Sequence, residues 1–371
     1  MRVGPFHLTY CTNIHAGEEW PDVRAAIGAV LPRVRRHLDA HGPFGIGLRL
    51  SAAAAASLAA PETLAEFQRF LTDTNHYVFT INGFPYGAFH RARVKEQVYL
   101  PDWRDPRRLA YSNQLADLLA VLLPPDIGTG SVSTVPGAFK PHIKSQADVE
   151  AVAAGIRAHA DHLAALEART GRRIRLALEP EPSCLLETVA ETCEFFDRHL
   201  ADTHVRRYIG VCVDTCHMAV EFEDPATLMA TLAKAGVDVV KVQISSALDV
   251  AASEIRALRP FAEDTYLHQV VTRHGDLLER FVDLPDALAH AGTGDDWRVH
   301  FHVPLFLEHL GALKTTQPFV ASFLRALRAT PVCDQLEVET YTWDVLPPEH
   351  RTLDVAEAIA RELDWVRAQL A

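Results

Sequence analysis

The sequence predicts an α/β fold, a (β/α)8 barrel formed by a single domain over residues 1–371. Short apolar runs alternate with amphipathic or Ala/Leu-rich stretches along the whole chain. Eight of these runs are each followed by a helical pattern, which is the count of a closed parallel barrel. Four runs end in carboxylate, histidine or amide residues, and the C-terminal ends of barrel strands are where this fold places its chemistry.

The predicted strands are short aliphatic and β-branched runs near 5–13, 44–51, 77–83, 128–134, 173–180, 208–214, 238–245 and 334–341. The predicted helices lie between and after them, at 20–40, 61–74, 106–123, 145–170, 187–201, 224–235, 317–330 and 354–370. Ser145, Asp224 followed by Pro225, and Asp354 are capping signals at three helix starts. The Ala-rich stretch at 51–62 is interpreted as loop and helix, not as a linker.

Residues 246–316, between the seventh and eighth strands, are too long for a plain barrel connection. They contain two extended patterns, TYLHQVVTR and WRVHFHVPLF, separated by the turn-rich AHAGTGDDW. We therefore expect this insertion to fold over the mouth of the barrel as a lid.

The phase of four strands places polar side chains inside the barrel. In RIRLALE the aliphatic positions alternate with Ala177 and Glu179, and the same alternation places Asp214, Gln243 and Glu339 opposite the apolar face of their strands. Each acid alone could be a solvated strand end. Three acids and one amide in the same phase predict a shared site at the C-terminal mouth.

The composition restricts the class of protein. A hydrophobic fraction of 48% with 23% charged residues is typical of a globular enzyme. The net charge of −12 argues against nucleic acid as a partner, because that binding depends on Lys and Arg. The sequence shows no apolar stretch that would span a bilayer and no signal-peptide pattern, so we expect a cytoplasmic protein.

The donor set of the predicted site indicates a divalent metal. Glu179, Asp214 and Glu339 offer carboxylates and Gln243 offers an amide oxygen, which favours Mn, Mg, Fe or Co, with Zn as a further candidate. His217 follows Asp214 by three residues and could turn back to ligate the metal or to contact substrate. Cys212 and Cys216 flank Asp214, and a thiolate site there is the less favoured alternative.

Several short motifs together resemble a known family. LEPEP, VDTCH, KVQIS and ETYTW are similar to segments of the xylose isomerase-like TIM barrels, which include sugar isomerases, ketose epimerases and metal-dependent apurinic endonucleases. NIHAGEEW, NGFPYGAFH and HFHVPLF further resemble the group called EboE, or metabolite traffic proteins. The resemblance extends over nearly the full length of the chain.

This resemblance implies roles for individual residues. Glu179 and Glu339 correspond to metal ligands that also form an acid/base pair, and Asp214 corresponds to a third ligand. His217 matches a substrate-contacting histidine. The epimerases usually carry a metal-binding histidine where this chain has Gln243. The endonucleases place an acid-x-His motif after strand seven, and His302 occupies a comparable position, where it could supply the imidazole.

Other side chains are candidates for substrate contact. Arg49 and Asn82 fall in the inward phase at the ends of strands two and three. His268 and Arg273, in the insertion, could bind an anionic or hydroxylated substrate. His300 and His302 share one face of their strand, so they either contact the metal or substrate or line a polar interface.

The sequence therefore predicts a metal-dependent sugar or cyclitol isomerase or epimerase in Ebo-type secondary metabolism. The first alternative is a non-catalytic carrier of a polyhydroxylated or prenylated metabolite, and the second is a metal-dependent phosphodiesterase. The expected partner is a small hydroxylated molecule, and the resemblance allows association with other Ebo-type pathway proteins.

Overall fold

Eight parallel strands form the centre of the protein, as the sequence predicted. The computed structural model describes residues 1–90, 93–290 and 294–371. In chain order, barrel strands 1 to 8 are Phe6–Tyr10, Phe44–Arg49, His76–Asn82, Thr129–Thr134, Arg173–Leu178, Ile209–Asp214, Val239–Ile244 and Gln335–Val338. Strands 2 to 8 pair in parallel in sequence order, strand 8 pairs with strand 1, and Arg2–Val3 adds a short antiparallel strand beside strand 1. The (β/α)8 barrel prediction is confirmed.

Helices surround the barrel and supply the outer half of its core. The α-helices are Trp20–His37, Ala52–Leu58, Pro61–Asp73, Pro106–Leu122, Gln146–Thr170, Val189–His199, Thr203–Tyr208, Thr215–Val220, Pro225–Lys234, Leu284–Ala289, Gln317–Ala329 and Val355–Leu370. The 3-10 helices are Thr12–Ile14, Lys95–Tyr99, Lys140–His142, Ala252–Phe261, Tyr341–Asp344 and Pro348–His350. The Ala-rich stretch forms a helix that begins at its Ser51 cap, where the side chain accepts from the Ala54 N–H.

Strands 1 and 2 close the barrel through a side chain. A single parallel bridge, between Cys11 and Gly47, joins these two strands in place of a regular ladder of backbone hydrogen bonds. The Thr9 hydroxyl substitutes for it, donating to the Gly45 carbonyl over 2.8 Å and accepting from the Gly47 N–H over 3.1 Å. This arrangement satisfies backbone groups that would otherwise be buried without partners.

The insertion forms a second, antiparallel sheet. Its strands are Ser246–Ala251, Val270–His274, Leu277–Phe281, Asp296–Val303, His309–Leu310 and Leu313–Thr315. The longest strand, Asp296–Val303, pairs with Ser246–Ala251 on one side and Val270–His274 on the other. Leu248, Val299 and Phe301 belong to a buried cluster separate from the barrel core. Both predicted extended segments contain strands. The turn predicted between them includes residues 291–293, which lie outside the described residues.

Within the described ranges, no helix is both long and apolar enough to cross a membrane.

Candidate active site

Three carboxylates meet at the C-terminal mouth of the barrel. Glu179 directly follows strand 5, Asp214 ends strand 6, and Glu339 directly follows strand 8. One oxygen of each lies within 4.8 Å of the other two, and all three residues are buried. The inward phase at a barrel strand end accounts for this convergence.

Two amides orient the Glu339 carboxylate. Asn13 Nδ2 donates to Glu339 Oε1 over 2.6 Å, and Asn82 Nδ2 donates to the same oxygen over 2.8 Å. Asn13 lies just beyond strand 1 and Asn82 ends strand 3, so two separate parts of the barrel fix this group. Because both donors bind one oxygen, Oε2 of Glu339 stays free of these two contacts.

Asp214 uses only one oxygen for structural contacts. Its Oδ1 accepts from the N–H groups of Cys216 and His217 over 2.7 and 3.0 Å, which caps the helix that follows strand 6. The same oxygen accepts from Ser245 Oγ over 2.6 Å. Its Oδ2 is buried and has no hydrogen-bond partner in the described part of the chain. A buried carboxylate oxygen in this state is costly unless a cation or ligand faces it.

Three histidines extend the site on one side. His217 Nδ1 donates to the Pro180 carbonyl over 3.0 Å, and His302 Nδ1 donates to the Glu339 carbonyl over 2.7 Å. Carbonyl oxygens only accept, so both rings carry hydrogen on Nδ1 and, when neutral, present the Nε2 lone pair. The third ring, His300, lies two residues before His302 on the same face of the strand.

His300 has the same tautomer. Its Nδ1 lies 2.7 Å from Gln269 Oε1, while Gln269 Nε2 donates to Glu181 Oε1 and to the Pro182 carbonyl over 2.9 and 3.1 Å. The Nε2 atoms of His300 and His302 are then two lone pairs facing each other at 3.3 Å. Two acceptors at this distance repel unless a proton or a metal ion lies beside them.

The donor set fits a divalent cation. Ligand atoms of Asp214, His217 and His302 also lie within 4.8 Å of one another, so Asp214 belongs to both the carboxylate and the histidine groups. Both amide atoms of Gln243, and Glu179 Oε2, are buried without hydrogen-bond partners among the residues described. Carboxylate, amide and imidazole donors with fixed outer hydrogen bonds are what a transition-metal ion requires.

Burial and charge set the protonation of the carboxylates. Burial, opposed by His217 and reinforced by Asp214, raises the pKa of Glu179 to about 8. Burial, with repulsion from Glu179 and Asp214, raises the pKa of Glu339 well above its usual value. Burial opposes ionisation of Asp214 as well, but attraction to His217 and His302 lowers its pKa. A divalent ion bound here would displace the retained protons, because ligating carboxylates are ionised.

Aromatic and aliphatic side chains enclose the space above the carboxylates. The pocket leaves about 50 Å³ of free volume. Its outer wall consists of Phe84, Pro85, Phe89, Val94, Val98, Tyr99, Tyr266, Leu267 and Tyr341. We call Phe89, Tyr266 and Tyr341 the aromatic trio, because each pair of their ring centroids is 5.1 Å apart. The trio joins the loop after strand 3, the insertion and the segment after strand 8.

Two of the predicted substrate contacts, Asn82 and His217, line this pocket. Arg49 does not, although it has the inward phase at the end of strand 2. Its guanidinium binds Glu18 Oε2 over 2.7 Å and the Gly87 carbonyl over 2.6 Å. Glu18 Oε1 in turn accepts from the Phe89 N–H over 2.7 Å. Arg49 therefore positions the loop that carries Phe89 and lies outside the pocket lining, and its role as a substrate contact stays a prediction.

His268 and Arg273 also lie outside the pocket lining. His268 is buried between the His300 carbonyl and Glu263 Oε1, 2.9 Å from each, so both of its ring nitrogens are occupied. Arg273 is about 42% exposed and pairs with Asp296 over 2.8 Å. The extended pattern of their segment predicted the strand but could not predict which way these side chains turn.

Two residues of the site, Asn13 and Glu181, were not predicted from sequence. Asn13 is in phase with Thr9 of strand 1 and with Cys11 just beyond it, so the alternation used for the other strands would have found it. Glu181 follows Glu179 by two residues, and its ligand atom lies within 4.8 Å of those of His217 and His300.

A buried ion pair lies beneath the site. Lys241 Nζ is 2.6 Å from Glu337 Oε2, and both side chains are fully buried. Lys241 therefore has the structural role of a paired charge in the barrel interior. The Glu337 carboxylate fills the place that a side chain at position 47 would take, since a Cβ added to Gly47 would lie 1.8 Å from Glu337 Oε1.

The fold agrees with the comparison to known proteins. The chain belongs to the xylose isomerase-like TIM barrel family, which it matches over residues 43–302. No curated protein sequence matches it.

Solved structures share the fold at low sequence identity. A xylose isomerase-like TIM barrel protein from Mycobacterium smegmatis in complex with magnesium is 14% identical, with 100% of both chains covered and a TM-score of 0.56. An L-ribulose 3-epimerase is 13% identical, with 98% of this chain and 94% of that chain covered and a TM-score of 0.53. The 3-keto-D-glucoside 4-epimerase YcjR from E. coli is 14% identical, with 98% and 99% covered and a TM-score of 0.51.

Proposed function

We propose that this protein is a metal-dependent isomerase or epimerase of a hydroxylated sugar or cyclitol. The observation that carries the proposal is the group of Glu179, Asp214 and Glu339, whose ligand atoms lie within 4.8 Å of one another at the barrel mouth. Two of the similar structures are epimerases of a ketose and of a keto-glucoside, which is consistent with this chemistry.

The proposed metal ligands are Glu179, Asp214, Gln243, His302 and Glu339. A divalent ion held by these residues would polarise a substrate carbonyl and stabilise the negative charge that develops on its oxygen. Mn, Mg, Fe, Co and Zn all accept carboxylate ligands. The imidazole donors favour Zn, Fe, Co and Mn over Mg.

Glu179 and Glu339 are proposed to transfer the proton. They follow strands 5 and 8, which strands 6 and 7 separate in the sheet, and we place the substrate so that it presents one face to each carboxylate. One carboxylate removes the proton next to the carbonyl and the other returns a proton from the opposite side. Asn13 and Asn82 hold the Glu339 carboxylate in a fixed orientation for this step.

We propose that the insertion at 246–316 acts as a lid and supplies His302 to the site. Its longest strand places His302 within 4.8 Å of Asp214 and His217, measured between ligand atoms. Its Tyr266 completes the aromatic trio above the carboxylates. The lid would exclude water while the proton is transferred.

Within the family we propose the EboE group, on the strength of NIHAGEEW, NGFPYGAFH and HFHVPLF. This placement makes a small hydroxylated metabolite the partner, associates the protein with other Ebo-type pathway proteins, and puts it in the cytoplasm. Co-purification from a producing strain that carries a tag on this chain would test the pathway association.

Solvent hydrogen exchange tests the proposed reaction. The metal-loaded protein is incubated in heavy water with candidate ketoses and cyclitols, and deuterium at the carbon next to the carbonyl is measured by NMR. We expect exchange with wild type and a loss of at least about a hundredfold with Glu339→Gln, since general acid or base groups contribute roughly 10²–10⁴-fold. The amide oxygen of the new side chain can still accept from Asn13 and Asn82, so the fold should be retained.

Glu357→Gln, on the C-terminal helix, is the matched control and should exchange at the wild-type rate. Tight binding of a metabolite without exchange, in wild type and variant alike, would overturn the enzyme proposal. That result would favour the alternative of a non-catalytic carrier.

A further inference from the structure

The pocket has two chemically different ends. The inner end is polar and presents Asn13, Asn82, Glu179, Glu339 and His217. Most of the wall of the outer end is apolar, and is formed by Phe84, Pro85, Phe89, Val94, Val98 and Leu267. A ligand that fills both ends must itself have a polar end and an apolar end.

The polar atoms of the outer end are bound within the protein. Tyr99 Oη donates to Glu181 Oε1 over 2.7 Å, and Tyr266 Oη lies 3.0 Å from His90 Nδ1. Tyr341 Oη lies 3.4 Å from His300 Nε2. These tyrosines therefore offer ring faces and edges to a ligand.

The charge around the pocket disfavours an anion. Glu179, Glu181 and Glu339 line it, and a single divalent ion would balance two of their charges. Among the lining residues that the structure describes, Lys95 is the one with a permanent positive charge, and it is about 6% exposed.

The positive charge of Lys95 is already paired within the protein. Its Nζ lies 2.7 Å from Asp283 Oδ2 and donates to the Glu263 carbonyl over 2.9 Å, so the pocket receives only its aliphatic chain. A phosphate or carboxylate on the substrate would therefore find no unpaired, permanently charged cation among the described lining residues.

We expect the aromatic trio to separate when a ligand enters. The free volume of about 50 Å³ has room for a few water molecules, each of which needs roughly 10–15 Å³ on this measure, and drug-sized ligands occupy pockets of roughly 300–1,000 Å³. Separation breaks ring contacts among Phe89, Tyr266 and Tyr341, each pair now 5.1 Å apart. An apolar group inserted between the rings restores those contacts, whereas a hydroxyl group would leave its hydrogen bonds unmet.

Resting on the function proposed above, we propose that the substrate is a neutral hydroxylated ring that carries an aromatic or alkyl substituent. The hydroxylated ring lies between Glu179 and Glu339, and the substituent lies among the aromatic trio. Among the described lining residues this arrangement disfavours phosphorylated and carboxylated sugars. Phe89 is then a specificity-determining residue, because its ring belongs to both the apolar wall and the trio.

Binding to a matched ligand series tests this substrate class. Calorimetric titration of the manganese-loaded protein would compare a hexose, its phenyl glycoside, its octyl glycoside and its 6-phosphate. We expect each of the two glycosides to bind at least tenfold more tightly than the free hexose, and the 6-phosphate at least tenfold more weakly. Equal affinity for the hexose and its phosphate, or no gain from either glycoside, would overturn the proposal, and so would a series in which nothing binds.

Variants of Phe89 test the outer end of the pocket independently of the inner end. Phe89→Leu keeps an apolar side chain and should reduce the preference for the phenyl glycoside to under threefold, with little change for the free hexose. Phe89→Ala should remove the preference for both glycosides. Leu277→Ala, at an exposed position of the insertion, is the matched control and should retain wild-type selectivity. Unchanged selectivity in both Phe89 variants would contradict the assignment of this wall.

The result is distinguishable from that of the exchange experiment. Selective binding of the glycosides without deuterium exchange would reject proton transfer and leave the substrate class standing. Exchange on free sugars, together with no preference for the glycosides, would reject the substrate class and leave the isomerase proposal standing.

Discussion

At the scale of single residues, Asp214 shows how one side chain can serve both folding and chemistry. Its Oδ1 accepts three hydrogen bonds and caps a helix, whereas its Oδ2 is buried without a partner in the described ranges. Its ligand atom also belongs to both the carboxylate and the histidine groups. The two oxygens can therefore be tested separately.

Asp214→Asn should lower metal content strongly and leave the fold intact. The Asn oxygen can accept the hydrogen bonds made by Oδ1, while an amide nitrogen replaces the oxygen that faces the ligand site. Metal affinity should fall by at least about tenfold. Loss of a residue that only hydrogen-bonds to a metal ligand already costs roughly 10–100-fold, and Asp214 is proposed as a ligand itself. Elemental analysis and circular dichroism would measure the two effects.

Asp364→Asn provides the control for this change. Asp364 lies on the C-terminal helix, about 60% exposed and paired with Arg367. The metal content of the Asp364→Asn protein should match that of wild type. An Asp214→Asn protein that retains its metal would remove Asp214 from the proposed ligand set.

At the scale of elements, the C-terminal helix joins the barrel to the insertion through Glu362. Its Oε1 accepts from Thr340 Oγ1 over 2.6 Å, just after strand 8, and from the Leu305 N–H over 3.1 Å, near the end of the insertion. Burial, only partly offset by these two hydrogen bonds, raises the pKa of Glu362 from its usual 4.5 to about 7. The native protein therefore keeps this proton at a pH where the unfolded chain has lost it.

Glu362→Gln should remove part of the pH dependence of stability. Between pH 4.5 and about 7 the native state binds more protons than the unfolded state, so wild-type stability falls as pH rises through this window. The variant, whose amide oxygen can accept both hydrogen bonds, should gain about 3 kcal/mol relative to wild type across that window. Urea denaturation at a series of pH values would measure the difference.

Glu357→Gln on the same helix provides the comparison. The Glu357 side chain is about 34% exposed and pairs with Arg361 over 2.8 Å, so its loss should change stability by less than about 0.5 kcal/mol at every pH. Parallel pH profiles for wild type and Glu362→Gln would contradict the assignment of a raised pKa to Glu362.

The closure of the barrel depends on a glycine. A Cβ at position 47 would lie 1.8 Å from Glu337 Oε1 and 2.6 Å from the Tyr10 carbonyl, and neither atom can move freely. Gly47→Ala should therefore cost about 3 kcal/mol or more, in the upper range for overpacking a core. Thermal denaturation followed by circular dichroism would show the loss.

Gly28→Ala is the matched control for this substitution. Gly28 lies in the helix Trp20–His37, where a Cβ would meet only the flexible end of Arg24 at 3.2 Å. Because Ala is a better helix former, this variant should gain roughly 0.5–1 kcal/mol. Similar melting temperatures for both variants would show that the contact between Gly47 and Glu337 does not constrain the barrel.

At the scale of the whole molecule, the mouth links barrel and insertion through the proposed metal ligands. Asp214 and Glu339 come from the ends of barrel strands, while His302 comes from the longest strand of the insertion. An ion that binds all three stabilises the folded arrangement of both parts, because the unfolded chain does not present them together.

Divalent ions should therefore raise the melting temperature. At a free concentration about a hundredfold above Kd, binding adds roughly 2.7 kcal/mol to the free energy of unfolding. Zn, Co and Mn should act more strongly than Mg, because imidazole donors prefer them. Differential scanning calorimetry of chelator-treated protein would measure the shifts. A response to Mg equal to that of Zn would exclude the histidines from the binding set, and Asp214→Asn should respond weakly to every ion.

The alternation of the strands was enough to predict most of the barrel and part of its mouth. Because successive side chains on a strand point to opposite faces, the apolar face of each run identified the inward position of Glu179, Asp214, Gln243 and Glu339. The same rule placed Arg49 inside the mouth, where its long side chain turns to Glu18 instead. Phase gives the direction of the Cα–Cβ bond, but not the end point of a flexible side chain.

The sequence by itself determined the eight strands, their helices and the polar residues at the strand ends, because these follow from local periodicity. Only the tertiary structure decided which distant groups meet. The Nδ1 partners of His217, His300 and His302 fix their tautomers, and the neutralised charge of Lys95 leaves the outer pocket apolar. These contacts join segments far apart in the chain, so their geometry depends on packing that no local pattern encodes.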